Sequence, residues 1–332
     1  MPSVTPSELP SLVAETGYPV LTEEYDRHPQ YFAQFGTVTP VDAPEVVAPF
    51  LGHRELINPG FQRHAEIIIG QEIPAGNLFE GYTVYSSIKK YARAVIVPKE
   101  MMSASNGQAR VEAMIARAAK SWGEVAPVIK DEFAAGMLQK GTLTAGSAKY
   151  FDGSFEGNAD PNPSYIYDGL PFFDTAHTIT EGTSTFANHT VSLALSSTNL
   201  ETVLTTMRTT NAIDERGEAM VNQPDLLVVP EALRGSALRI LNSELLPGSP
   251  NNDLNVLRGT LTPVVNPYLT DAAGAWWVGH STRGMQFFDS GMPVLETEYD
   301  ARTQSFLITS TFYFGGSVTD WRPWYCANKA AS

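Results

Sequence analysis

The stretch PDLLVVPEALRGSALRILNSELLPGSPNNDLNVLRG, residues 224–259, brings a strand, a helix and a long polar loop into close succession. The apolar run between its first two prolines predicts a short buried strand, and the apolar spacing over residues 231–244 predicts a helix. Prolines and a glycine at 247–250 then end that helix. The loop is longer than a turn requires, so binding of a metal, of a substrate or of another copy of the chain all stay open.

The segments around this stretch predict further helices and strands. Residues 198–211 open with a Ser/Thr cap and continue with the apolar spacing of a helix. Short apolar runs predict three strands, at 260–269, 275–281 and 284–290. The tail from 293 to 315 alternates strongly between apolar and polar residues. A strand, a helix and a strand followed by antiparallel hairpins indicate an α+β fold.

Residues 106–139 carry the clearest helical pattern in the chain. Apolar side chains recur every three or four positions and form one continuous stripe: Val111, Met114, Ile115, Ala118, Trp122, Val125, Ile129, Phe133 and Met137. At ~1.5 Å per residue such a helix would extend over roughly 45 Å. Pro127 lies within the stripe, so we expect a kink or a break there, with two shorter helices as the alternative.

The N-terminal region is rich in proline. Eight of the 23 prolines fall within residues 1–50, and because each removes a donor and restricts the residue before it, this spacing opposes long helices and central strands. Six aromatic residues in the same region argue against a disordered tail. We therefore expect an extended arm that lies either on its own body or on a neighbour.

Residues 61–97 predict two strands joined by a hairpin tip. A β-branched run covers Ile67–Ile69, and residues 81–98 alternate roughly until Pro98. The glycines and the proline of 73–81 suit the tip. Because a long two-stranded hairpin is only marginally stable alone, it needs a surface to lie on.

The composition excludes several classes of protein. A 43% hydrophobic and 10% aromatic content is typical of a folded chain, and a formal net charge of −14 is opposite in sign to that of a nucleic-acid reader or of a protein drawn to anionic lipid. The single cysteine, Cys326, cannot form an internal disulfide or a zinc site with several thiolates. No apolar run reaches the ~18 residues of a membrane span, and the first residues do not read as a secretion signal. We expect a folded protein of a reducing compartment with no membrane partner.

No motif in the sequence assembles a convincing catalytic or metal site. GHSTR at 279–283 lacks the second glycine of a nucleophile elbow, because Arg283 occupies that position. The six histidines lack the spacing of a helical metal pair, and the acidic stretch 151–160 lacks the ligand pattern of an EF-hand. We therefore predict no catalytic, cofactor-binding or metal-binding residues. The competing hypothesis from another class is a hydrolase that uses His177 or His280 with nearby carboxylates.

Several separated motifs carry a family resemblance. In chain order they are LPFFDTAHT at 170–178, PDLLVVPEALRGSALRILNS at 224–243, PGSPNNDLNVLRG at 247–259, LTPVVNPYLTD at 261–271, AWWVGHS at 275–281 and the aromatic terminus FGGSVTDWRPWYCAN at 314–328. Over roughly residues 170–329 the chain closely resembles the Mu-like major head subunit of tailed bacteriophages, which is similar in fold to the Hong Kong 97 type of major capsid protein. Upstream, the resemblance lies in the architecture of arm, hairpin and long helix.

This resemblance implies an α+β, Hong Kong 97-like capsid fold with five parts. They are an N-terminal arm at 1–55, an extended E-loop hairpin at 56–100, a peripheral domain with the long spine helix at 101–194, an axial domain at 195–293, and a C-terminal part of the peripheral domain at 294–332. By this mapping the arm would lie across neighbouring subunits, and the E-loop would reach over an adjacent one.

The same resemblance implies a major capsid protein without enzymatic activity or cofactors. It would assemble as hexamers and pentamers into an icosahedral shell that encloses double-stranded DNA, which it would contact only non-specifically. A portal and possibly separate scaffold, protease or decoration proteins would be its other partners, in a virion assembled in the cytoplasm of a bacterial host. The alternative is an encapsulin-like nanocompartment shell of the same fold, which would enclose proteins instead of DNA.

The loop at 247–259 resembles the axial loop that surrounds the centre of each hexamer or pentamer. Its short polar side chains cap turns and offer hydrogen bonds at low entropy cost. Some relatives join subunits by a lysine–asparagine isopeptide bond. Two lysines lie on the expected E-loop here, but no motif in this sequence supports that reaction. The candidate subunit-interface residues are therefore Asn251, Asn252, Asp253, Arg258, Lys89 and Lys90.

Overall fold

The computed structural model describes residues 7–41, 52–57, 82–104, 106–143, 166, 168–179, 184–245, 254–270 and 274–329, with 52–57 described as backbone. Within these residues the α-helices are α1 (Leu9–Leu12), α2 (Tyr18–Arg27), α3 (Lys99–Ser103), α4 (Gly107–Lys140), α5 (Ser197–Arg208) and α6 (Arg234–Asn242). The strands are β1 (Thr37–Pro40), β2 (Gly52–Ile57), β3 (Tyr82–Pro98), β4 (His177–Thr178), β5 (Thr185–Phe186), β6 (His189–Thr190), β7 (Leu226–Val229), β8 (Thr262–Val265), β9 (Trp276–Gly279), β10 (Met285–Asp289), β11 (Val294–Asp300), β12 (Ser305–Val318) and β13 (Tyr325–Ala327).

The strands form two larger sheets and the small pair β4–β5. One sheet has the order β1-β10-β12-β3-β2, with β11 also paired to β12, and the other has the order β6-β13-β9-β7-β8. Helices together with these sheets confirm the predicted α+β class. The chain divides into two compact units, one within residues 1–52, 87–135 and 287–316 and the other within residues 53–86, 136–286 and 317–332.

Helix α4 runs unbroken through 34 residues. Most of the predicted apolar stripe lies on its buried face, on which Val111, Ile115 and Phe133 are almost fully buried, whereas Val125 of the stripe is 47% exposed. Pro127 lies inside this one helix, so the alternative of two shorter helices is wrong. A proline removes one intrahelical hydrogen bond and crowds one carbonyl. The apolar face buried on both sides of it outweighs this local cost, since helices in proteins are stabilised chiefly by such packing.

Residues 9–27 form a continuous helical run, so the extended conformation expected for this part of the N-terminal region is wrong. Helices α1 and α2 are joined by a π-helical turn at Val13–Gly17. Pro10 lies in the first turn of α1, where an absent N–H has no intrahelical acceptor to lose. Pro19 lies at the start of α2, directly after the π-helical turn that interrupts the regular hydrogen-bond pattern of the run. The run lies on its own body, in a core made of Leu9, Val13, Leu21, Val97, Met102, Val111, Ile115, Ala119, Leu295, Phe306 and Ile308.

Strand β3 occupies the second half of the predicted hairpin region. Along Ser87–Pro98 it pairs antiparallel with β12, and β2 is its neighbour on the other side. The sheet therefore supplies the surface that an isolated hairpin would lack. The predicted tip at 73–81 and the run Ile67–Ile69 lie outside the described residues.

Strand β7 is central to the second unit. It pairs parallel with β8 and antiparallel with β9, and all four of its residues are buried. Helices α5 and α6 contribute apolar side chains to the core around it. Helix α5 begins slightly earlier than predicted, and its cap is Ser196, whose hydroxyl oxygen accepts a hydrogen bond from the Asn199 N–H at 3.2 Å. The strand, helix and strand predicted from the sequence are confirmed.

Candidate functional site

The polar loop after α6 is anchored at its base by Asn255. This side chain is buried, and its amide group donates to the carbonyl oxygens of Ile240 at 2.6 Å and Ser243 at 3.0 Å. Its Oδ1 accepts from the N–H of Leu257 at 3.1 Å. Because the last carbonyls of a helix have no partner within the helix, Asn255 satisfies the end of α6 and also fixes where the chain returns from the loop.

Three apolar residues at this base face solvent. Leu245 and Leu254 form an isolated antiparallel bridge, yet Leu245 is 47% exposed, Leu254 76% and Val256 66%. We call these three residues the loop-base patch. Single exposed apolar residues are ordinary, but three close together at the base of one loop form an apolar patch of the kind that marks interaction surfaces. The polar residues of the loop do not predict this patch. The sequence signal for it is that Leu254 and Val256 alternate with Asn255 and Leu257, which are buried.

Arg258 is the one predicted loop residue within the described chain. Its guanidinium donates to Glu244 Oε1 at 3.0 Å, and the two side chains are 54% and 76% exposed. Because its side chain is exposed, Arg258 is accessible to another molecule. Exposed ion pairs of this kind contribute only about 0–1 kcal/mol, so the pair with Glu244 holds Arg258 weakly. Asn251, Asn252 and Asp253 lie outside the described residues, and their role stays a prediction.

Lys89 and Lys90 lie in β3, opposite Phe314 and Tyr313 of β12. Successive side chains of a strand point to opposite faces, so the two lysines do not share a surface. Lys90 is exposed, and its ammonium group lies 6.0 Å from the centre of the Tyr313 ring. Lys89 is half-buried on the other face. Lys90 is therefore the more accessible of the two to a neighbouring chain.

The sheet face that carries Lys90 forms a second exposed surface. The register places Leu307 between Glu298 of β11 and Ile96 of β3, so that these three side chains share this face. Ile96 is 58% exposed, and Val294 on the same face is 47% exposed. Apolar and acidic side chains therefore alternate across a surface that solvent can reach.

A buried ion pair joins α4 to the end of β10. The Lys130 side chain is 0% exposed, and its ammonium lies 2.6 Å from Asp289 Oδ1. It also donates to the Tyr25 hydroxyl at 2.7 Å and to the Gly291 carbonyl at 2.8 Å, so all three of its donors are used. Burial lowers the pKa of Lys130 and raises the pKa of Asp289, and the attraction between the two groups opposes both changes.

Four aromatic rings surround the same ammonium group. Their centres lie 5.0 Å away for Tyr25, 5.8 Å for Phe32, 5.5 Å for Phe312 and 5.8 Å for Phe314. A cation near aromatic faces gains further electrostatic stabilisation once it is removed from water. Because Tyr25 and Phe32 belong to the N-terminal segment, Lys130 links that segment to the sheet. This arrangement holds the fold together and leaves no donor for a substrate.

His177 is held in a buried cluster in which both ring nitrogens are engaged. Nδ1 lies 2.6 Å from Asp168 Oδ2, and Nε2 lies 3.1 Å from Asn188 Oδ1. The ring stacks on Trp321 at 4.5 Å between centres. Asn188 also donates to the carbonyl oxygen of Phe172 at 2.8 Å, so this cluster connects two of the sequence motifs. A histidine covered in this way positions the chain and has no free nitrogen for a reacting group.

His280 likewise lacks the geometry of a catalytic base. Its Nδ1 accepts from the backbone N–H of Thr282 at 3.2 Å, whereas the Ser281 hydroxyl donates to Asp225 Oδ2 at 2.5 Å. A serine nucleophile requires a base within hydrogen-bonding reach. The hydrogen bonds of His177 go to Asp168 and Asn188 and to no hydroxyl or thiol. His280 Nδ1 lies 3.2 Å from the hydroxyl of Thr282, but the same nitrogen also accepts from the backbone N–H of Thr282, so this contact belongs to a local turn.

Within the described ranges, histidine, cysteine and acidic side chains do not gather in groups of three or more that could hold a metal ion. The helices of these ranges also include none with the length and apolar character needed to cross a membrane. Cys326 is a buried thiol within β13.

Comparison with known proteins identifies a family. A model of the phage capsid protein family matches residues 81–327. The capsid of Ralstonia phage GP4 aligns over 88% of this chain and 87% of its own, with 14% identity and a TM-score of 0.50. The capsid of the empty GTA particle aligns over 92% and 91% with 12% identity and a TM-score of 0.49, and the procapsid of bacteriophage JBD30 over 99% and 77% with 13% identity and a TM-score of 0.45. A search of curated protein sequences found no match.

These findings confirm the capsid fold and the function predicted from the sequence. The family match covers well over half of the chain, and the likeness to the GP4 capsid supports the same α+β, Hong Kong 97-like fold. The protein is a phage capsid protein, and its place is the capsid of a virion. The chain belongs to the phage capsid protein family.

Proposed function

We propose that this capsid protein builds its shell from hexamers and pentamers that meet around the loop at 247–259, and that the shell encloses double-stranded DNA. The observation that carries the proposal is the loop-base patch, because its three apolar side chains are exposed in the single chain. In a ring of identical copies, the same residues recur around the axis and meet their equivalents or the next copy.

The energetics of such a ring favour contacts at this loop. Fully burying a leucine or valine side chain contributes roughly 1.5–3 kcal/mol, and each contact around the ring would bury several. The exposed pair between Arg258 and Glu244 contributes little within one chain, so Arg258 can exchange it for a carboxylate of the next copy at small cost. The polar residues 251–253 would supply hydrogen bonds across the same contact.

The parts of the chain take the following roles in this proposal. Helix α4 is the spine helix of a peripheral domain at 101–194, residues 195–293 form the axial domain, and 294–332 return to the peripheral domain. The region 1–55 contributes an arm, and 56–100 an E-loop that reaches over an adjacent subunit. The length of α4 and the pairing of β3 with β12 support this mapping.

The shell is proposed to act as a container without enzymatic activity. A net charge of −14 suits a wall that must not bind packed phosphate strongly, so contact with DNA would be non-specific. The structural roles of His177 and His280 give a hydrolase no support. A portal would complete the particle in the cytoplasm of a bacterial host, with separate scaffold, protease or decoration proteins as further candidate partners.

Electron microscopy of purified variants tests the proposal. We expect the wild-type chain to form closed shells or rings, and Leu254→Ser with Val256→Ser to abolish them while circular dichroism shows an unchanged fold. Val221→Ser is the matched control, since Val221 is 72% exposed elsewhere, and it should assemble normally. Replacing Asn251–Asp253 with glycines should likewise impair assembly more than folding.

Two results decide against the proposal. If the patch variant assembles as well as the control, the loop is not the joint between subunits. If particles isolated from infected or induced cells contain protein cargo and no nuclease-protected DNA, the chain forms a nanocompartment shell of the same fold.

A further inference from the structure

The N-terminal segment 9–35, which we call the strap, packs closely against the rest of the first unit. A Cβ at Gly123 of α4 would lie 2.8 Å from the carbonyl oxygen of Leu21 and 3.0 Å from Glu24 Cβ. A Cβ at Gly17 would already lie 3.1 Å from the Leu295 side chain. At Gly123 and Gly17, α4, the strap and β11 are therefore packed so closely that a larger residue would not fit without a shift.

The strap also covers the edge of a sheet. Strand β11 pairs with β12 alone among the described strands, so its other side is an edge. The Tyr18 hydroxyl accepts from the backbone N–H of Leu295 at 3.0 Å and lies 3.2 Å from the carbonyl oxygen of the same residue. These are the groups that an added strand would use. Tyr18 thus occupies a strand-pairing site with a side chain.

The far end of the strap rests on a carboxyl group that is only half satisfied. Asp131 is 0% exposed, and its Oδ1 accepts from the Phe32 N–H at 2.8 Å. Its Oδ2 has no hydrogen-bond partner within the described residues. A buried carboxylate oxygen without a donor is costly, whereas a neutral carboxylic acid at the same place is much less so.

We propose that the strap is a releasable cover of the β11 edge, and that the proton on Asp131 sets how firmly the strap is held. With the proton bound, the buried group is neutral and the strap stays closed. When the proton leaves, the docked state must bury an anion, and opening of the strap returns that anion to water. Opening also uncovers the backbone groups of Leu295.

The charged groups around Asp131 do not cancel the cost of burying its ionised form. Burial is the main cause that raises the pKa of Asp131 from 3.8 to about 6. The backbone N–H groups of Phe32 and Tyr31, and after them the charges of His28 and Lys130, lower it in part. The ammonium of Lys130 is directed to Asp289 and Tyr25 instead. Because the docked pKa lies above the exposed one, docking is firmest below about pH 4 and weakens as the pH rises through 6.

These two values give the size of the effect. With a docked pKa of about 6 and an exposed pKa of 3.8, the strap should open about 10-fold more often at pH 8 than at pH 5. Replacing Asp131 with asparagine keeps an acceptor for the Phe32 N–H and removes the titration. The Asp131→Asn variant should therefore show little change over the same range.

Amide hydrogen exchange of the unassembled full-length chain, corrected for intrinsic exchange rates at each pH, tests the proposal. We expect peptides from residues 9–27 and the Leu295 amide to lose protection about 10-fold between pH 5 and pH 8 in the wild type, but less than 2-fold in Asp131→Asn. His28→Gln is the control for the neighbouring imidazole and should keep the wild-type response. Peptides of α5 should not respond in any variant.

Three outcomes would overturn the proposal. The wild type and Asp131→Asn could respond alike, which would remove Asp131 as the controlling group. His28→Gln could abolish the response, which would assign it to the imidazole. The Leu295 amide could stay protected while the strap exchanges, which would show that the strap does not cover the edge. Since none of these readouts requires particles, failure here leaves the proposed assembly untouched, and failure of assembly leaves this proposal untouched.

Discussion

Replacing Lys130 with methionine should destabilise the protein strongly. The ammonium group is fully buried and bonds Asp289, Tyr25 and Gly291. Methionine has a similar volume, so the loss of packing should be small. The Asp289 carboxyl group, itself only 8% exposed, would lose its counter-charge. Breaking a buried pair on one side costs about 3–5 kcal/mol, and we expect a loss of unfolding free energy in that range.

A second replacement separates the lost charge balance from lost contacts. In Lys130→Met with Asp289→Asn both charges are gone, while the side-chain oxygen of the new asparagine can still accept from the Gly291 N–H, as Asp289 does at 2.9 Å. Neutral replacements of buried ion pairs are often close to neutral in stability. The double variant should therefore recover most of the loss. Urea unfolding, followed by circular dichroism and tryptophan fluorescence, measures each free energy.

Lys120→Met is the matched control on the same helix. Lys120 is 54% exposed and lies 3.4 Å from Glu24 and 3.9 Å from Glu124, so its replacement should change the unfolding free energy by no more than about 0.5 kcal/mol. The reasoning is refuted if Lys130→Met unfolds like Lys120→Met. It is also refuted if the double variant is less stable than the single one.

Three further predictions follow from the packing and the loop base. Gly123→Ala should lower the unfolding free energy by about 1–3 kcal/mol because α2 leaves no room for a Cβ. Gly136→Ala, with nothing within 4 Å of its Cβ position, should instead raise the unfolding free energy by about 0.5–1 kcal/mol. Urea midpoints that move in the same direction in the two variants would contradict this. Asn255→Ala removes the bonds to Ile240 and Ser243 and should cost about 1–3 kcal/mol in the same assay; an unchanged midpoint would count against its anchoring role. Arg258→Ala should leave unfolding unchanged within about 1 kcal/mol but slow assembly in light scattering, and normal assembly would exclude Arg258 from the contact.

Local sequence pattern alone predicts those helices and strands whose burial leaves a regular apolar spacing. The apolar stripe of α4 and the run of β7 are visible in the sequence because burial imposes a period of 3.6 on a helix and a short apolar block on a central strand. The number of prolines in the N-terminal region predicts an extended arm, but their positions within the run decide its conformation. Pro10 in the first turn of α1 and Pro19 directly after the π-helical turn are compatible with a helical run.

The contacts that hold the site and the strap could not be predicted in this way. Lys130 and Asp289 lie far apart in the sequence, and neither residue belongs to a motif, so their pairing follows only from the packing of α4 on the sheet. Asn255 looked like one more polar loop residue, although its role is to satisfy the carbonyls at the end of α6. The exposure of Leu245 and Leu254 likewise depends on tertiary structure. The six candidate residues include four of this loop, whose role stays a prediction, and none of its apolar patch.

The most direct test of the account is a cryo-electron microscopy reconstruction of assembled particles at side-chain resolution. We predict an icosahedral shell of hexamers and pentamers in which Leu254 and Val256 are buried between adjacent copies around each five- and sixfold centre, with Arg258 bonded to a neighbouring chain. A shell in which these residues stay exposed, away from those centres, would contradict the assignment of this loop as the joint between subunits.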